Sequence, residues 1–281
     1  EASDALGENI ALLIKDGPKE ALALTTNTQP VMLVAAVAAW RAWLAEGGAK
    51  PEAVAGHSLG EYSALVASGA LTLAQAAPLV RLRASAMQDA VPVGTGGMAA
   101  VLGMDADKVK AICAEVTAQL GGAEVVEAVN FNDPSQTVIA GSKLAVEKAC
   151  EAVKAAGAKR ALPLPVSAPF HSSLMKPAAE KLKAALAELT IAVPHIPVIN
   201  NIDVAVQTDA DAIRDALYRQ AFGPVRWVET VQAIKARGMT HLVECGPGKV
   251  LMGLTKRIDA DLTAGAVYDP ATLADVKELL A

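Results

Sequence analysis

Apolar residues recur along this chain mostly at helical spacing, in blocks parted by short clusters of Gly, Pro, Asn and Thr. Residues 3–14 carry an amphipathic helical pattern, which Gly17-Pro18 breaks. Thr25-Thr26-Asn27-Thr28-Gln29-Pro30 reads as a cap region, its proline suited to the first turn of a helix over 31–46. That helix is apolar nearly all round, so it is expected between other layers. Gly47-Gly48 stops it, residues 53–56 form a short strand, and two further helices follow, one ending near Gly69 and one over 73–89.

The turn formers of Val91-Pro92-Val93-Gly94-Thr95-Gly96-Gly97 mark a domain crossing, and beyond them the pattern shortens. Strands are expected over 98–102, 125–130, 136–140 and 160–166, with helices over 105–120 and 143–156. This β-α-β-β-α-β order is the split, ferredoxin-like motif, a small sheet covered on one face. Ser167-Ala168-Pro169-Phe170-His171-Ser172 leads back to the larger body. There, helices over 176–189, 209–220 and 228–237 alternate with strands at 197–201 and 241–245. The fold class is therefore α/β: a mainly parallel, α/β-hydrolase-like sheet in residues 1–96 and 167–281, with the ferredoxin-like subdomain 97–166 inserted.

Composition narrows the function classes. The 281 residues are 53% hydrophobic but only 3% aromatic, enough for a large core of Ala, Val and Leu. A net charge of −5 without a long basic run argues against nucleic acid as the main partner. The longest apolar run, 31–40, is shorter than a membrane span. Three cysteines, Cys113, Cys150 and Cys245, are odd in number and lack metal-type spacing, which fits a reducing compartment and leads us to expect a cytoplasmic protein. The opening Glu1-Ala2-Ser3-Asp4-Ala5-Leu6 has no initiator Met and reads as the middle of a helix, so residues upstream of it are expected.

The candidate chemistry sits after the strand at 53–56, where Gly56-His57-Ser58-Leu59-Gly60 crosses a turn into a helix. Glycines either side of a serine let the backbone bend sharply and lift the hydroxyl clear of the sheet, a nucleophile elbow; the alternative is a tight turn carrying an idle serine. The Leu59 N–H, at the helix start, is placed to receive negative charge on a reacting carbonyl oxygen. Serine needs a base within hydrogen-bond reach. His171 lies in a Pro-Phe-His-Ser loop where the chain returns to the main body, as catalytic groups often do, although a satisfied loop histidine reads the same way. His57 leaves the backbone in another direction from Ser58 and suits turn packing, His195 a structural role, and His241 the surface.

Asp133 is the only acid in a notable turn before His171, and it lies in the insertion. No third carboxylate stands out, so a backbone or amide oxygen can orient the imidazole instead. Arg81 and Arg83, two apart on one helix, face different ways; an arginine here either clamps a substrate carboxylate or is a solvated charge. Asn130, Asn132 and Gln136 line a polar pocket or cap turns. Gly246-Pro247-Gly248-Lys249 fails the phosphate-loop spacing and reads as a strand-to-helix turn.

Together, Gly56-His57-Ser58-Leu59-Gly60-Glu61-Tyr62, Arg83, Gln88-Asp89-Ala90-Val91-Pro92 and Asn132-Asp133-Pro134-Ser135-Gln136 resemble motifs of the malonyl-CoA:acyl-carrier-protein transacylases. So do Ile139-Ala140-Gly141, the stretch from Ser167 to Ser172, Asn200-Asn201, Arg219-Gln220 and the stretch from Glu244 to Leu251, in family order over nearly the whole chain. The resemblance implies that Ser58 is the acyl-accepting nucleophile and His171 its base. It implies that the Gln220 main-chain carbonyl orients the imidazole and that Arg83 pairs with the malonyl carboxylate. His57 and Asn132 stand beside Arg83 as substrate-binding candidates. The implied reaction is ping-pong, from malonyl-CoA through an acyl-serine to the phosphopantetheine thiol of acyl carrier protein in fatty acid synthesis, with no cofactor and no metal. A monomer is expected. The carrier is expected to be small and acidic, with Lys159-Arg160 and Lys256-Arg257 as docking candidates. The family begins with a strand and a Gly-Gln-Gly-Ser-Gln loop, whose first glutamine is a second oxyanion donor. No Gly-Gln-Gly occurs here, so that strand and donor are expected to be missing. The alternatives are a polyketide-pathway acyltransferase for malonyl or methylmalonyl groups and a non-catalytic carrier-binding module.

Overall fold

A computed structural model of the chain describes residues 1–166 and 168–281. Ser167, the first residue of the expected return into the large body, lies outside the described residues.

The chain opens with four helices, α1 (Ala2–Leu6), α2 (Ile10–Asp16), α3 (Lys19–Ala23) and α4 (Thr25–Ala45). The single helix expected over 3–14 is thus divided. Gly7 takes φ 67° and closes α1, while Asn9 Oδ1 accepts the Leu12 N–H and starts α2. Helix α4 begins before Pro30 rather than after it. Asn27 Nδ2 donates to the Ala21 carbonyl and Thr28 Oγ1 to that of Leu24, which tie down its first turn.

Next come β1 (Val54–Ala55), α5 (Gly60–Ala67) and α6 (Leu73–Gln88); α6 is opened by a Thr72/Gln75 capping box. The middle of the chain runs β2 (Gly96–Leu102), α7 (Ala106–Gln119), β3 (Val126–Asp133), β4 (Gln136–Ser142), α8 (Lys143–Ala155) and β5 (Arg160–Pro163). These four strands form one antiparallel sheet in the order β3-β4-β2-β5. Alternate residues of a strand face opposite sides. Ala99, Val101 and Ile139 pack against Val109 and Cys113 of α7 and Val153 of α8, whereas Met98, Val129, Val138 and Ala140 pack against Phe170. The sheet is therefore covered on both faces, not on one, because the returning loop lies across the second.

The remaining elements are α9 (Lys176–Ala187), β6 (Val198–Ile199), α10 (Ala210–Ala221), α11 (Trp227–Ala236), β7 (His241–Cys245), α12 (Val250–Ile258), β8 (Thr263–Val267) and α13 (Pro270–Leu279). The last strand and helix have no counterpart in the sequence reading, although Asp269-Pro270 is a plain cap-and-start signal. The main core joins Leu33 and Val37 of α4, Tyr62 and Leu65 of α5, Val80 and Met87 of α6, Leu182 and Leu186 of α9, and Leu217 of α10. Beside it lie two separate parallel strand pairs, β1 with β6 and β7 with β8, rather than one continuous sheet. A cleft of about 1170 Å³, lined by both β1 and β7, adjoins the turn that carries Ser58. Among the described residues no helix is long and apolar enough to cross a membrane.

Candidate active site

The turn between β1 and α5 has the backbone that an elbow requires. Ser58 sits at φ 51°, in the left-handed region that a side chain occupies only when its surroundings hold it there. Space explains the preceding glycine, since a Cβ on Gly56 would lie 2.0 Å from the carbonyl of Gly60. Both main-chain groups of Ser58 are held by side chains. Its N–H donates to Asn201 Oδ1 at 2.7 Å, and its carbonyl accepts from Gln220 Nε2 at 2.9 Å.

The Ser58 hydroxyl lies 2.6 Å from Nε2 of His171, and Nδ1 of the same ring lies 2.9 Å from the Gln220 carbonyl oxygen. That carbonyl can only accept, so Nδ1 carries the proton and Nε2 is left free to receive one. His171 is itself at φ 65° and 4% exposed. Burial first, and then the Arg83 charge, pull its pKa down to about 3, so the resting imidazole is neutral.

Arg83 enters from α6 and is 2% exposed. Its Nη1 donates to Gln29 Oε1 at 2.6 Å, and its Nη2 to Ser58 Oγ and Gln220 Oε1, both at 3.1 Å. The guanidinium also lies 5.4 Å from the Tyr62 ring centre. Among the described residues no carboxylate touches it, and its Nε has no hydrogen-bond partner. Arg81, two residues earlier, turns outward to Glu8 and Asn27. A spacing of two on a helix thus separates the buried cation from the surface one.

The other sequence candidates fall around this centre. Leu59 caps the start of α5, where first-turn N–H groups have no helical acceptor. His57 Nε2 meets Asn132 Oδ1 at 2.8 Å, its ring 5.6 Å from that of Trp227, and both His57 and Asn132 line the cleft. Asp133 is not near the imidazole. One of its oxygens accepts from Ser135 and the other from Arg257 Nε at 2.7 Å. His195 packs against Gly69, and exposed His241 pairs with Thr240. Three site residues have no role in the sequence reading: Gln29, Glu61 and Asn201. Asn201 and Glu61 fall inside quoted motifs, but their work is to hold other residues, which no spacing rule reveals.

A family model described as an acyl transferase domain matches residues 3–262. The malonyl CoA-acyl carrier protein transacylase of Salmonella typhimurium is 55% identical over 274 residues, 98% of this chain and 87% of that protein. The chain belongs to the malonyl CoA-acyl carrier protein transacylases. Among solved members of the family, an acyl-carrier-protein S-malonyltransferase from Burkholderia pseudomallei is 64% identical at a TM-score of 0.95, covering 99% of this chain and 89% of that one. A malonyl-transacylase solved in complex with a type II PKS acyl-carrier protein is 51% identical at a TM-score of 0.95, with the same two coverages. The chain is thus an acyltransferase with a mixed α/β fold.

Proposed function

We propose that this chain transfers malonyl groups from malonyl-CoA to acyl carrier protein through a malonyl ester on Ser58. The observation that carries the mechanism is one hydroxyl held between a neutral imidazole and a buried guanidinium that touches no carboxylate. Ser58 Oγ passes its proton to His171 Nε2 as it attacks the thioester carbonyl, and Leu59 N–H donates to the oxyanion that forms. The intermediate collapses by breaking the carbon–sulfur bond, and CoA leaves as the thiol with the proton from His171. In the second half the carrier's phosphopantetheine thiol gives its proton to His171 and attacks the ester carbonyl; the bond to Ser58 Oγ then breaks, Oγ takes the proton back from His171, and the malonyl group leaves as the carrier's thioester. Gln220 keeps the ring's tautomer throughout.

Arg83 selects the acyl group. Among the described residues Arg83 has no carboxylate in direct contact, Glu61 offsetting its charge only in part and through space, so an acyl chain ending in a carboxylate is favoured over a neutral one. The malonyl carboxylate also offsets the charge that depresses His171, which makes the base stronger when the right substrate is present. His57 and Asn132, bonded to each other at 2.8 Å beside the elbow, are taken as substrate-binding residues.

The same reading takes residues 97–166 as a ferredoxin-like subdomain inserted in an α/β-hydrolase-like body of 1–96 and 167–281. The strand order β3-β4-β2-β5 and the separate core beneath it support this. It also places the acidic carrier at one end of that sheet. Asp133, Gln136, Leu102 and Arg160 are cross-strand neighbours in one row, about 14 Å long at the usual strand spacing. Lys159-Arg160 stands at one end of the row and Arg257, bound to Asp133, at the other. We take the protein as a cytoplasmic monomer, its three free cysteines fitting a reducing compartment. Intact mass after brief exposure to malonyl-CoA tests the mechanism: one malonyl group on the native chain and none on Ser58→Ala is expected, and a Ser58→Ala protein that transfers at the native rate overturns it.

A further inference from the structure

Glu61 is a carboxylate 2% exposed, one turn of chain beyond the nucleophile. Its Oε2 accepts two hydrogen bonds, from the Asn201 N–H at 2.8 Å and from Gln220 Nε2 at 3.0 Å. These two residues fix the strained Ser58. Asn201 Oδ1 holds the Ser58 N–H while its Nδ2 donates to the Gly56 carbonyl at 2.8 Å, and Gln220 Nε2 holds the Ser58 carbonyl. Gln220 does more: its main-chain oxygen faces His171 Nδ1, and its Oε1 accepts from Arg83. Nucleophile, base and substrate cation therefore share one anchor.

We infer that Glu61 is a positioning residue for the transfer reaction, acting through Asn201 and Gln220 to hold Ser58, His171 and Arg83 in working register. The inference rests on the reading of Ser58 and His171 given above. Bonds accepted by an ionised carboxylate are roughly twice as strong as those accepted by a neutral group, so the anchor is firm only while Glu61 is charged. The charge has a second effect, since Glu61 partly offsets Arg83, and Arg83 is one cause of the low basicity of His171.

The charged groups acting on Glu61 are Arg83 from α6 and Asp203 from the turn after β6, with Tyr62 on its own helix and His171 reached only through Gln220. Burial outweighs the two hydrogen bonds and lifts the Glu61 carboxyl to about 7. His171, held near 3, is already neutral there. An acid limb of activity near neutral pH then belongs to Glu61, not to the catalytic histidine.

Labelling of Ser58 by a sulfonyl fluoride, followed by intact mass, tests this, because it needs the serine and its base but not the Arg83 clamp. In Glu61→Gln the labelling rate is expected to fall about 10²-fold, the scale of an ångström-sized misplacement, and kcat/KM for malonyl transfer by at least as much, because Arg83 hangs on the same anchor. The limb near pH 7 is expected to vanish from the labelling profile. Glu61→Asp, which keeps the charge on a shorter stem, recovers part of both. A folded Glu61→Gln protein, with native circular dichroism and Tm, that labels at the native rate or keeps the limb overturns the inference. If Glu61→Gln does not fold, the native protein decides: a limb near pH 7 supports the assignment, and a flat rate between about pH 5 and 8 overturns it. Malonyl transfer by Ser58→Ala would sink the reading of the site itself, whatever Glu61 does.

Discussion

Arg83 Nη2 donates to the Ser58 hydroxyl at 3.1 Å, so the group proposed to select the acyl chain touches the atom proposed to receive it. Binding and chemistry share a donor. When the malonyl carboxylate engages the guanidinium, it must arrive beside the nucleophile. Arg83→Ala is expected to cut kcat/KM for malonyl-CoA by about 10²–10³, the range for losing one partner of a buried charge pair. Acetyl-CoA, which has no carboxylate to lose, is expected to be much less affected. Steady-state rates with both esters check this, and equal losses on the two would remove the selectivity role.

His171 links the site to stability. Its pKa is lowered to about 3 in the folded chain, against an ordinary 6.5 when unfolded. Between those values the unfolded chain binds the extra proton, so unfolding free energy rises with pH across that window, by at most about 1.4 kcal/mol per unit. Above pH 6.5 the cost of keeping the ring neutral has gone. Denaturant melts of the native chain and of His171→Gln are expected to differ in slope over this range, the variant being the flatter. Parallel curves would show that the ring titrates freely.

Gly56 is there for space. A methyl group at this position would meet the Gly60 carbonyl at 2.0 Å, and both partners are backbone that cannot swing aside. Gly56→Ala is expected to cost about 1–3 kcal/mol, as overpacking does, and to stop acylation of Ser58 in whatever fraction folds. A thermal melt with parallel mass labelling separates the two effects. Gly60→Ala, where an added Cβ meets nothing within 4 Å, is the milder change.

The carrier surface is best tested without Arg257, because that side chain neutralises Asp133, whose side chain is 3% exposed. Reversing Lys159, Arg160 and Lys256 to Glu is expected to raise KM for acyl carrier protein about tenfold, more at low salt, and to leave malonyl loading from CoA unchanged. Kinetics of the two half-reactions give the answer, and an unchanged carrier KM places the docking face elsewhere.

Local patterns were readable where they answer to local physics. The strands and helices from β2 to β5 lie within a few residues of the pattern's spans, because each has a clear period and a turn on either side. Helix α4 starts earlier than its apolar pattern implies, because side chains of Asn27 and Thr28 reach back to carbonyls of the preceding turn. The two parallel pairs were likewise not legible as separate, since pairing partners of two-residue strands such as β1 and β6 carry no period at all.

By itself the sequence determined the turn that bears Ser58, since Gly-x-Ser-x-Gly between a strand and a helix constrains only neighbouring backbone. It also determined which residue types were on hand: one well-placed loop histidine, two arginines on one helix, and no spare carboxylate for the base. Only the tertiary structure decided that His171 arrives 113 residues later at 2.6 Å from that serine, and that the Gln220 carbonyl, which only the family resemblance suggested, stands 2.9 Å from its Nδ1. It decided too that Arg83 is buried while Arg81 is paired at the surface, and that Glu61 ties the assembly together. The reason is common to all four: each depends on distances between segments far apart in the chain, and those are set by how the cores pack.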